Sequence, residues 1–146
     1  MSNYQLQNNY FFLNVFPEKG TFSLKANRIG FASFEDAGLN ITIQKSRRKI
    51  NLLQSAWDSY QLMNTTVDSP HGKLRQLEFS IFIENEGLIV RVTFAISDDQ
   101  PIFLWKVIFE NQSNETVFID SIELLNIGFA RNNLKGHYFS GNEASK

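Results

Sequence analysis

Apolar and polar residues alternate along several short stretches of this chain, most clearly in its middle. Leu77, Phe79, Ile81 and Ile83 take one side of a segment while Glu78, Ser80 and Glu84 take the other. That period of two marks a β-strand with one buried face. Asn85-Glu86-Gly87 turns the chain, and Leu88, Val90, Val92, Phe94 and Ile96 resume the apolar side against Arg91, Thr93 and Ser97. The two runs predict a hairpin with a glycine-containing loop. Ser97 to Pro101 predicts a second turn, with Pro101 confined to the start of the next strand because it cannot donate to a ladder. Phe103, Trp105, Val107 and Phe109 follow, and Ile102, Leu104 and Ile108 between them are apolar as well. Such a strand is expected to be buried on both faces and central to its sheet, with Trp105 in the core. Asn111 to Glu115 turns again and leads to a fourth strand of the meander. There the apolar phase slips from Val117 and Ile119 to Ile122 and Leu124 across Asp120-Ser121, which predicts a bulge or a crossing between sheets.

The first half is less regular. Tyr10 to Phe16 and Thr21 to Leu24 flank Pro17-Glu18-Lys19-Gly20, whose early proline and late glycine suit a turn. Leu39, Ile41 and Ile43 alternate with Asn40 and Thr42, Ile50 and Leu52 resume after a basic loop, and a further strand is expected over Trp57 to Met63. No segment carries a 3.6-residue period. Nine or ten short strands with frequent turn signals read as a sandwich or a barrel, and the fold expected is an all-β, antiparallel two-sheet β-sandwich of about ten short strands. Residues 1–9 are expected to form a flexible polar lead-in, 10–130 the sandwich domain and 131–146 a C-terminal tail.

Composition narrows the function classes. Fourteen phenylalanines in 146 residues favour strands and supply one sizeable core. The absence of cysteine removes disulfide frameworks, thiolate metal sites and cysteine nucleophiles. A net charge of -1, from 14 basic and 15 acidic residues, gives no overall attraction for nucleic acid or anionic lipid. The polar N-terminus lacks the pattern of a secretory signal, and no apolar run reaches the roughly 20 residues of a membrane helix. A soluble, cytoplasmic protein is expected, with no nucleic-acid or membrane partner.

Individual residues offer little chemistry. His71, in Ser69-Pro70-His71-Gly72, and His137, near the C-terminus, have no second ligand at metal spacing, so no metal and no cofactor are expected. Lys45-Ser46-Arg47-Arg48-Lys49 could clamp phosphates, but it lacks interleaved aromatics and is read as the crown of a hairpin. Asp98 with Asp99, and Glu84 with Glu86, fall in turns, where acidic residues are common, rather than facing each other across a cleft as a catalytic pair must. The sequons at Asn40, Asn64, Asn111 and Asn114 are read as chance matches. Trp57, Asp58 and Tyr60 are the carbohydrate-contact candidates, because rings beside a carboxylate can stack on a sugar face and bond its hydroxyls. The competing role for the rings is core packing.

The runs Gly72-Lys73-Leu74-Arg75-Gln76-Leu77-Glu78-Phe79, Glu86 to Ile96 and Asp99-Gln100-Pro101-Ile102-Phe103-Leu104-Trp105-Lys106 together resemble the N-terminal domain of α-galactosidase-like enzymes of glycoside hydrolase family 36. Val107 to Asn111 followed by Val117 to Leu125 is similar to that family's paired strands, and Pro17 to Leu24 to its early hairpin. The resemblance implies a β-supersandwich of the galactose-mutarotase-like kind, preceding a catalytic (β/α)8 barrel whose two aspartates perform retaining hydrolysis of α-galactosides. A barrel needs about 250 residues, so it lies outside this stretch and no catalytic residue carries over. Tyr138-Phe139-Ser140 follows the family's lead toward the barrel and Gly141 to Lys146 departs from it. The leading expectation is therefore a non-catalytic accessory sandwich serving barrel docking, oligomerisation or the edging of a substrate pocket. Its partners are the barrel or sister subunits, with α-galactoside sugars as a further possibility. The alternatives are a stand-alone carbohydrate-binding module and a structural protein-interaction domain.

Overall fold

Side chains that alternate along the sequence fall into two stacked sheets in the computed structural model, which describes residues 3–27, 33–45, 48–52 and 57–128. The first sheet sets β1 (Tyr4–Gln7), β2 (Phe11–Phe16), β3 (Thr21–Ala26), β4 (Phe34–Lys45) and β10 (Phe118–Gly128) side by side in that order, with β5 (Arg48–Leu52) also paired to β4. The second is a meander of β6 (Tyr60–Ser69), β7 (Gly72–Ile83), β8 (Leu88–Ser97) and β9 (Phe103–Asn111). All pairings are antiparallel. The expected two-sheet antiparallel β-sandwich of about ten strands is the fold observed, with ten strands among the described residues. No described helix is long and apolar enough to cross a membrane.

Register explains which residues meet in the middle. In the first sheet Leu6, Leu13 and Leu24 form one cross-strand row, and Tyr4, Val15, Phe22 and Ala37 the next. In the second, Leu62, Phe79, Val92 and Val107 are aligned, as are Leu77, Phe94 and Trp105. These rows face one another across the gap and make one core cluster in which Leu13, Val15, Phe79, Val90, Phe94 and Ile96 are fully buried. Rings bridge the gap directly: Phe22 lies 4.8 Å from Phe94 and Tyr4 lies 5.4 Å from Phe79, centroid to centroid.

The β2–β3 and β7–β8 hairpins share one connector. Pro17–Lys19 and Glu84–Glu86 each form a single 3-10 turn, closed by Gly20 or Gly87 in the left-handed region at φ 64° and 60°. Each glycine N–H donates back to the carbonyl three residues earlier, at 3.1 and 3.2 Å. A residue with a Cβ is disfavoured in that conformation, which is why both loops end in glycine.

Four expectations are corrected. The N-terminal lead-in contributes β1 from Tyr4, with Leu6 buried, because its neighbours are tied down. Asn8 accepts the N–H groups of Tyr10 and Phe11 and donates to the Ser97 carbonyl, and Arg75 bonds the Gln7 carbonyl as well as Asp98. The strand expected over Trp57 to Met63 instead begins at Tyr60 and runs to Ser69. Among the described residues β9 is an edge strand rather than a central one and nothing covers its outward face, so Leu104 and Ile108 are exposed. The fourth strand of the meander is β6; β10 has crossed to pair with β4, with a register shift between Ile119 and Ser121 where the phase slips. The residues expected as a tail, 131–146, lie outside those described.

Gly87 also sits where a Cβ would come 2.9 Å from Cβ of Ser113, whereas a Cβ at Gly72, φ 87°, meets nothing within 4 Å. Gly87→Ala is therefore expected to cost more than the ~1–2 kcal/mol of left-handed strain alone, and Gly72→Ala only that strain. Phe94→Ala should cost about 3–5 kcal/mol. Urea unfolding of the three variants checks this order; equal midpoints for the two glycine variants would refute the close approach at Ser113.

Candidate functional site

Trp57, Asp58 and Tyr60 lie where the chain enters β6. The Trp57 backbone N–H donates to the Pro17 carbonyl at 2.8 Å, which ties the start of this segment to the β2–β3 turn. Its ring packs 5.2 Å from Phe79 and 6.3 Å from Tyr60, and the residue is 8% exposed. Its Nε1 is buried with no partner among the described residues. Stacking on a sugar needs an open ring face, and this indole offers none. Tyr60 is half-buried, and its hydroxyl shares a 3.0 Å hydrogen bond with that of Tyr4. That bond, then burial, pushes the Tyr60 phenol from 10.0 up to about 12, so it stays protonated through the physiological range. Asp58 is exposed. The sequence neighbours are thus divided: the rings join the end of the core and the carboxylate faces solvent.

The other polar candidates remain apart. Asp98 is held by Arg75 at 2.6 Å, Asp99 is exposed in the same turn, and Glu84 and Glu86 sit on the 3-10 turn before Gly87. His71 is exposed; His137 lies outside the described residues. Among the described residues no group of histidine and carboxylates could hold a metal ion. Lys45 and Arg48 are cross-strand partners at the end of the β4–β5 pairing, and Ser46 and Arg47 of the basic cluster lie outside the described residues.

A surface feature that single-strand patterns do not reveal lies on the opposite flank. Phe22 and Phe34 of the first sheet pack under Phe103 of β9, which puts β4 beneath the last strand of the second sheet. β10 lies one strand further out and overhangs. Ile119 is paired with Ile43, and Ile122 with Ile41, so both isoleucines belong to the inward face. The bulge at Asp120 makes this possible, because it restores the same face three residues later instead of two. Ile43 is buried, whereas Ile119 is 48% exposed and Ile122 nearly as much. Phe118, on the other face, is 65% exposed.

Between the overhang and the second sheet runs a cleft of about 170 Å³, lined by Ile43, Val117 and Ile119 on one side and Leu88, Phe109 and Asn111 on the other. Asn111 is occupied: its amide donates to the Glu115 carbonyl at 2.8 Å, and its oxygen accepts from the N–H and hydroxyl of Ser113. The cleft is chemically apolar and suits packing rather than bond-making. Covering one half-exposed isoleucine stabilises a contact by on the order of 1 kcal/mol. The sequence signal was the run Val117-Phe118-Ile119, apolar on successive positions at the entry to a strand that is an edge among the described residues. No known protein family, curated protein or solved structure matches this chain.

Proposed function

We propose that this chain is a non-catalytic accessory β-sandwich of a cytoplasmic, α-galactosidase-like glycoside hydrolase, and that the β10 overhang is where the catalytic barrel or a sister subunit seats. The single observation that carries the docking role is the overhang itself: Ile119 and Ile122 carry the inward face beyond the reach of the second sheet. Exposed apolar surface at a cleft, rimmed by polar residues such as Asp120 and Asn111, is characteristic of protein–protein contact. The identity of the parent enzyme rests on the resemblance of the strand runs from Gly72 to Leu125. The coarser reading, a protein-interaction domain with another kind of partner, draws on the same overhang.

Titrating the chain with the purified barrel of a family 36 α-galactosidase should give a saturable complex by calorimetry. Ile119→Lys, at an exposed position, should weaken it about tenfold or more by setting a charge against an apolar contact. A barrel that never binds sinks the assignment to this enzyme class, and a complex indifferent to Ile119→Lys sinks the role of the overhang.

Two further outcomes follow for sugars. The chain alone should leave a chromogenic α-galactoside intact; turnover lost on mutating one carboxylate would replace the accessory reading. Galactose, melibiose and raffinose should leave tryptophan emission unchanged, because the Trp57 indole is enclosed. A saturable shift abolished by Trp57→Phe would favour the carbohydrate-binding module.

A further inference from the structure

β6 is the other open edge of the second sheet, and it is built differently from β10. Its ten residues pair with β7 without a single register shift. Natural edge strands are blunted against pairing by lysine, proline, bulges or shortness. Tyr60–Ser69 is long and contains no lysine, arginine or proline, and among the described residues no strand pairs along its outer side.

The free backbone groups follow from the ladder. Phe82 donates to the Ser59 carbonyl at 2.9 Å, so Ser59 and Phe82 are a hydrogen-bonded pair. Antiparallel ladders alternate. Gln61, Met63, Thr65 and Val67 therefore bond inward to β7, and Leu62, Asn64, Thr66 and Asp68 point their N–H and C=O groups at the open edge. On the outer face of the sheet Met63 is 54% and Val67 37% exposed, on either side of Thr65.

We propose that this edge takes a second copy of the same chain, antiparallel about a two-fold axis at Thr65. In that register Asn64 bonds Thr66 of the second copy and Leu62 bonds Asp68, each repeated by symmetry, so every pair joins groups that both point outward. Directly opposed side chains share a face, and Met63 meets Val67 of the second copy in the closer, non-hydrogen-bonded positions. Charge does not oppose the arrangement: Asp68 is the strand's only ionisable carboxylate or cation and lies opposite Leu62, so no like charges meet. β10 paired with itself would lack this freedom, because it carries Asp120 and Glu123 and its register is broken by bulges. The product is one sheet continuous through both copies. It leaves the β10 overhang untouched and does not depend on what seats there.

Sedimentation of the full chain over a concentration series reaching about 1 mM tests the contact. A reversible dimer is expected, weak because edge pairing buries less than the roughly 1,200 Å² of a standard interface. Thr66→Pro removes a donor that points only at the open edge, and Met63→Lys places a charge against Val67 of the second copy. Each should weaken association about tenfold, since the two-fold axis makes every substitution act twice. The double variant Met63→Lys/Val67→Glu should recover it, because this register brings the two introduced charges together. Unchanged far-UV circular dichroism certifies folding; should Thr66→Pro not fold, Met63→Lys and the double variant carry the test. A chain that stays monomeric overturns the proposal. So does a dimer that ignores Met63→Lys, or a double variant no tighter than Met63→Lys alone.

Discussion

Phe22 of one sheet meets Phe94 of the other at 4.8 Å, and from that contact rings extend both ways along the interface. Phe94 touches Phe79, Phe79 touches Tyr4, Trp57 and Tyr60, and on the far side Phe22 reaches Trp105 and Phe103. Within each sheet the backbone ladder provides cohesion, but between sheets the work falls on side chains. Edge-on ring pairs add about 0.5–1.5 kcal/mol each beyond their buried area and hold a defined geometry. The chain of rings therefore fixes where the meander sits on the wider sheet. It centres the meander over β1 to β4, and β10 is left uncovered as a consequence.

Local features of this architecture were legible in the sequence because local chemistry determines them. The two hairpins ending in Gly20 and Gly87 follow from turn residues and flanking alternation. The slip at Asp120-Ser121 follows from counting apolar positions. Edge status is another matter. Leu104 and Ile108 are as apolar as core residues, yet they face outward from β9, because whether a strand has a neighbour is decided by segments far away in sequence. β10 likewise reads as the next strand of the meander until its pairing with β4 is known. Of the three sugar-contact candidates, Trp57 and Tyr60 do lie together, but their partners, the Pro17 carbonyl at the Trp57 backbone and the Tyr4 hydroxyl at Tyr60, stand roughly forty and fifty-six residues upstream. No period-two pattern carries that information.

The two sides of the sandwich answer the edge problem in different ways. β10 is bulged, which bends its backbone out of line for a long added strand, while its side chains offer apolar area and a cleft. β6 keeps its register with β7 along its whole length, is mostly polar, and presents the backbone groups of every second residue at its outer side. The first kind of edge suits contact by shape and apolar packing; the second suits strand addition through main-chain hydrogen bonds, the contact proposed above for a second copy.

The cleft beside β10 persists for a reason that lies in the connection from β9. Only a short segment separates Asn111 from Phe118, and it is held to the second sheet at its start. The Gln112 N–H bonds the Gly87 carbonyl at 2.8 Å, and Asn111 bonds Ser113 and the Glu115 carbonyl. The chain cannot leave this sheet until it has passed the turn at Ser113, which packs directly on Gly87. By then it is directed to the first sheet, so β9 and β10 lie on opposite sides of the gap and do not pair. Pairing them would close the sandwich toward a barrel and fill the space between Leu88 and Ile119. The glycine at position 87 thus acts at two levels, permitting the tight β7–β8 turn and admitting the Ser113 turn that keeps the flank open.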